Sequence, residues 1–94
     1  MLTIEEIKKT VAEIAPQYNL KKVALFGSRA NGTAKENSDV DLLVEFPEGS
    51  SLLDLIGLKY DLEDIWNLEV DVVSRRGLKG SILEIEREVE IYAA

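Results

Sequence analysis

The chain has 94 residues, 46% of them hydrophobic and 31% charged, with 11 basic and 18 acidic side chains and a net charge of −7. A chain of this length buries roughly 60–65% of the surface it exposes when unfolded, enough for one small domain over 1–94 and no second lobe. The acidic balance argues against direct nucleic-acid binding, which needs clustered Lys and Arg, and the lack of Cys and His leaves carboxylates as the metal-binding side chains.

No apolar run reaches the ~18 residues of a membrane span, and MLTIEEIKKT lacks the basic start and apolar stretch of a secretory signal. The expectation is a cytoplasmic protein with no membrane contact. Thr3 and Glu6 form a capping box, and Ile4, Ile7, Val11 and Ile14 recur at helical spacing, which predicts a first helix over 3–15. Pro16 and Asn19 are expected to break it. A strand over 21–26 follows, with Val23 and Leu25 on one face and Ala24 and Phe26 on the other.

That strand ends in Gly27-Ser28, where glycine lets a phosphate approach the backbone and serine adds a hydroxyl beside free N–H groups. Residues 27–31 read as a short helix closed by Gly32, followed by an exposed loop over 35–38. Arg29, directly after Gly-Ser, is expected to steady a phosphate oxygen or an acidic neighbour. The next strand begins at Asp39-Val40-Asp41. Side chains alternate along a strand, so Asp39 and Asp41 share one face while Val40, Leu42, Val44 and Phe46 take the other. Two carboxylates on one surface repel unless one is protonated or a cation lies between them, and Mg²⁺ is the hard cation suited to such a site.

Pro47-Glu48-Gly49 makes a turn, and Ser51 with Asp54 opens a long helix over 51–66. Leu52, Leu55, Ile56, Leu58, Leu62, Ile65 and Trp66 read as its buried stripe, and Gly57 within it suggests close approach of another element. A third strand over 68–74 puts Glu69, Asp71 and Val73 opposite Val70 and Val72. Arg75, Arg76 and Lys79 form a basic loop whose default reading is a solvated surface, with pyrophosphate or partner binding as the alternative. Ser81 and Glu84 cap a last helix to about residue 87, and residues 89–92 read as a strand at the sheet edge.

Gly27-Ser28, a gap of ten residues (29–38) and Asp39-x-Asp41 together resemble the signature of DNA polymerase beta-like nucleotidyltransferases. With GSRANG and SDVDLLV as the surrounding text, the chain looks closest to the minimal nucleotidyltransferase family. The resemblance implies an α/β (α+β) catalytic core, a small mixed sheet flanked by helices. It implies ATP as substrate and two Mg²⁺ ions held by Asp39, Asp41 and Asp71. Gly27 and Ser28 would cradle the triphosphate, and Asp71 would help to deprotonate the attacking hydroxyl. It further implies an antitoxin that transfers AMP to a tyrosine or other hydroxyl of a HEPN-type toxin ribonuclease in a hetero-oligomer. Two alternatives stand beside that reading: an antitoxin that silences its partner by contact alone, and a transferase acting on a small molecule such as an aminoglycoside.

Overall fold

The computed structural model describes residues 1–75 and 88–94; the last helix expected near Ser81, together with Arg76 and Lys79, lies outside them. Among the described residues, three helices and four strands run in the order α1 (Ile4–Tyr18), β1 (Lys22–Phe26), α2 (Ser28–Asn31), β2 (Val40–Glu45), α3 (Leu52–Trp66), β3 (Val70–Ser74) and β4 (Val89–Ala93). The strands form one mixed sheet in the order β3-β2-β1-β4. β1 pairs antiparallel with β2 and β4, and β2 pairs parallel with β3. The parallel pair needs a crossover, which α3 supplies.

Alternation sorts the sheet into two faces, as the sequence predicts. Val23 and Leu25 of β1 and Val40, Leu42 and Val44 of β2 join Ile7, Val11, Leu58 and Leu62 of the helices in one buried core. The other face carries Leu43 opposite Ala24, both buried, and it also carries Asp41. The hydrophobic effect thus fixes the register: a slip of one residue would turn the aspartates into the core.

Helix α1 departs from expectation at its end. Its capping box forms, with Thr3 Oγ1 accepting from the Glu6 N–H at 3.1 Å, but the helix passes through Pro16 and stops at Asn19 in the left-handed conformation, φ 54°. Proline removes one hydrogen bond near the helix end, and packing of the residues around it offsets that loss. Ala15 is fully buried, and the Tyr18 hydroxyl donates to the Asp61 carboxylate of α3. Tyr18 also explains Gly57, because a methyl there would come within 3.1 Å of the tyrosine hydroxyl.

Helix α3 begins where predicted, with the Ser51 N–H donating to the Asp54 carboxylate at 2.9 Å. Its buried face is narrower than expected. Leu58 and Leu62 are buried, and Leu55 and Trp66 pack against the core. Leu52 and Ile65 instead stand 70% and 56% exposed. A helix that is apolar on several sides does not declare its phase, and the sheet selects it. No helix among the described residues is long and apolar enough to cross a membrane.

Candidate active site

The two halves of the Gly-Ser and Asp-x-Asp pattern meet across the β1–β2 pair. Phe26 lies opposite Asp41, so the residue after Phe26, Gly27, arrives beside the Asp41 carboxylate. Gly27 has φ 74°, a conformation that L side chains rarely adopt. A Cβ built on it would fall 3.0 Å from the Asp41 Cγ and closer still to Oδ2. Glycine is therefore required twice over, by backbone conformation and by space. We expect Gly27→Ala to displace the Asp41 carboxylate and to cost at least about 1 kcal/mol, a fall of roughly 4–8 °C in Tm. Thermal unfolding checks this, and an unchanged Tm would refute the contact.

Gly27 also caps α2, its carbonyl accepting from the N–H groups of Ala30 and Asn31 at 3.1 Å each. Ser28 is the first residue of that turn and is half-buried. Gly32, φ 79°, ends the turn as its left-handed cap, as predicted.

The parallel β2–β3 pair brings in the third acid. Asp41 and Asp71 are register partners, so their side chains leave the same face on adjacent strands. Asp41 is half-buried and Asp71 exposed. Burial, the Asp71 carboxyl hydrogen-bonded to it, and the charges of Asp71 and Asp39 together push the Asp41 carboxyl up to about 6. Crowded acids raise the pKa of the member that loses most solvent. Asp39, half-buried, sits just before β2 and acts on Asp41 through its charge.

The three aspartates share a surface without closing into a cage: among the described residues, no three acidic groups converge as metal ligands. A shared proton between Asp41 and Asp71 relieves the same repulsion that a cation would relieve. The donor set itself suits magnesium. It consists of hard carboxylate oxygens, from two half-buried residues and one exposed residue.

Arg29 is not where its position in the motif suggests. Its side chain is only 7% exposed and turns away from the carboxylates. Nη2 donates to the Ser38 carbonyl at 2.8 Å and to the Glu36 carbonyl at 3.3 Å, Nε donates to the Ser38 carbonyl at 3.3 Å, and Nη1 to the Leu2 carbonyl at 3.4 Å. The guanidinium is thus engaged by backbone carbonyls on all three of its nitrogens. It ties the residue after Ser28 to the residue before Asp39, holding the two halves of the motif together. Arg75 is likewise engaged, donating to Glu88 at 3.0 Å. Trp66 donates to Thr10 Oγ1 at 3.2 Å, and both Trp66 and Tyr92 pack against the core.

The sequence profile of the nucleotidyltransferase domain matches residues 4–93. The chain belongs to the nucleotidyltransferase domain family. A Thermococcus cleftensis relative named protein adenylyltransferase MntA is 42% identical over 94 residues, covering 95% of each chain. Among solved structures, a toxin-antitoxin crystallised with AMP-PNP superposes at a TM-score of 0.78 with 20% identity, covering 93% of this chain and 73% of its own. A second, a tri-AMPylated Shewanella oneidensis HEPN toxin in complex with MNT antitoxin, gives a TM-score of 0.72 at 14% identity, covering 98% of this chain and 74% of its own. At those identities the two structures speak for the fold: the mixed four-stranded sheet is that of a nucleotidyltransferase.

Proposed function

We propose that this nucleotidyltransferase is a protein adenylyltransferase antitoxin that moves AMP from ATP to a hydroxyl, a tyrosine by preference, on a HEPN-type toxin. The observation that carries the chemistry is the convergence of Gly27, Asp41 and Asp71, a carboxylate pair in register beside a glycine whose Cβ would meet the Asp41 carboxylate. The choice of protein as acceptor rests on the 42% identical relative named for that activity, and the choice of partner on the toxin complexes that share the fold.

In this reading Asp39 and Asp41 would hold Mg²⁺, with Asp71 beside them. When bound, the metal would neutralise phosphate charge and stabilise the attacking and leaving oxygens. Gly27 leaves the space a phosphate needs, and Ser28 donates its hydroxyl to a phosphate oxygen. Asp71, open to solvent, accepts the proton of the acceptor hydroxyl as its oxygen bonds to the α-phosphorus. The bond from that phosphorus to the bridging oxygen breaks, and pyrophosphate departs.

An acidic protein is suited to a basic partner, because complementary charge speeds encounter and suppresses wrong pairings. Incubating the chain with a co-expressed HEPN-type toxin, ATP and Mg²⁺ is expected to add roughly 329 Da per adenylyl group to the toxin, measured by intact mass. A toxin that is bound and silenced with no added mass would establish inhibition by contact instead. Transfer to a small alcohol with none to the toxin would favour the small-molecule reading.

A further inference from the structure

Among the described residues, strand β3 lies at the sheet edge, with β2 as its one neighbouring strand. The Val40 N–H donates to the Glu69 carbonyl at 2.9 Å. In a parallel ladder alternate residues address one neighbour, so Val70, between Glu69 and Asp71, turns its own N–H and carbonyl outward. Side chains of α3 meet them there. The Val70 N–H donates to Glu63 Oε2 at 3.0 Å, Lys59 Nζ donates to the Val70 carbonyl at 2.9 Å, and Lys59 and Glu63 close on each other at 2.7 Å.

This ring does what a fifth strand would do for one residue. Lys before Glu at i, i+4 is the weaker order on a free helix, so helix stability alone accounts poorly for the pair. Its side chains are 29% and 23% exposed, more sheltered than an ordinary surface ion pair. Lys59 and the Val70 N–H hold the Glu63 carboxyl below its ordinary range, and Glu63 raises the Lys59 ammonium. Both groups therefore stay charged at neutral pH. Val70 is fully buried, so its side chain is fixed by the core while its backbone is fixed by the ring. The next residue is Asp71.

We propose that Lys59 and Glu63 are a positioning pair for the proposed transfer, gripping the backbone one residue before Asp71 so that its carboxylate stays in register with Asp41. The role rests on the adenylyltransferase reading. The pair touches no reacting atom; it acts through the strand. A displacement of about 1 Å in a reacting group can cost up to 10²-fold in rate.

Lys59→Met and Glu63→Ala are each expected to lower kcat for AMP transfer about tenfold while leaving KM for ATP within about twofold. Lys59→Arg and Glu63→Gln, which keep a donor to the carbonyl and an acceptor for the N–H, should recover most of the rate. In an Asp71→Asn background the same truncations should cost little more, because the group they position is gone. Amide hydrogen exchange gives a readout independent of turnover: Val70 should lose protection in Glu63→Ala while Val23 and Leu25 of β1 keep theirs.

Unchanged Val70 exchange would overturn the tether. Faster exchange with full kcat, or a rate loss as large in the Asp71→Asn background, would overturn its positioning role. Were the wild-type chain to transfer no AMP at all, the adenylyltransferase reading would fall. The ¹³C shift of the Asp71 carboxyl would then decide the proposal, moving in Glu63→Ala if the pair positions Asp71 and staying fixed if it does not.

Discussion

Replacing both Asp39 and Asp41 with Asn is expected to abolish AMP transfer and, in the metal-free protein, to raise stability. The two effects have one cause. The carboxyl of Asp41 is held at about 6 against an ordinary 3.8, first by burial and then by Asp71 and Asp39. A carboxyl whose pKa is raised on folding stabilises the fold fully below its unfolded pKa and loses that contribution as pH rises through the folded value. The window is therefore about pH 4 to 6, and above it the folded protein carries the cost of an ionised, crowded group. A shift of two units corresponds to about 3 kcal/mol, reduced to about 1–2 kcal/mol because Asp41 is half-exposed and screened by water.

The metal-free double variant should thus melt roughly 4–15 °C above wild type at pH 8 and show no such gain at pH 4. Mg²⁺ should reverse the comparison. A ligand that binds only the folded state raises its stability, so millimolar Mg²⁺ should raise the wild-type Tm and leave the variant unmoved. Equal responses to Mg²⁺, or transfer by the double variant at the wild-type rate, would remove the metal site from these residues.

How far this site could be read from sequence depends on which kind of regularity carries each residue. The common face of Asp39, Asp41 and Asp71 was legible because alternation along a strand is strict, and burial of Val40, Leu42 and Val70 leaves the acids one face to occupy. Gly27 was legible as a glycine at the end of a strand, but its contact with the Asp41 carboxylate needed the β1–β2 register. Arg29 was misread because adjacency to Gly-Ser says nothing about which way a side chain turns from a helix of four residues. Its fork of donors answers three carbonyls of the Leu2 and 36–38 segments, a need created by the loop's path.

Lys59 and Glu63 were invisible for the opposite reason. On a helix, Lys and Glu four apart are ordinary surface chemistry, and their meaning arises from Val70, seven residues after Glu63, whose outward N–H and carbonyl they meet. Pro16 and the misjudged face of α3 mark the same limit. Local propensity and periodicity set expectations that Ala15, Tyr18 and Asp61 override once the helices pack.

Asp71→Asn should separate binding from chemistry. Asp71 is the exposed member of the carboxylate pair, so an incoming hydroxyl meets it without passing Asp41. Asparagine keeps the size and the hydrogen-bonding reach of the side chain but cannot take a proton. If Asp71 is the general base, kcat should fall 10²-fold or more while the affinities for ATP and Mg²⁺ change modestly. The substitution should also relax Asp41, whose carboxyl loses the charge that Asp71 supplies and gains an amide able to donate to it. The Asp41 titration, followed by ¹³C NMR, should then move down from about 6 toward ordinary carboxylate values. Single-turnover transfer and nucleotide titration on the same sample distinguish the roles. A variant that binds ATP poorly yet transfers at the wild-type rate when saturated would make Asp71 a ligand, and the proton would have to leave the acceptor by another route.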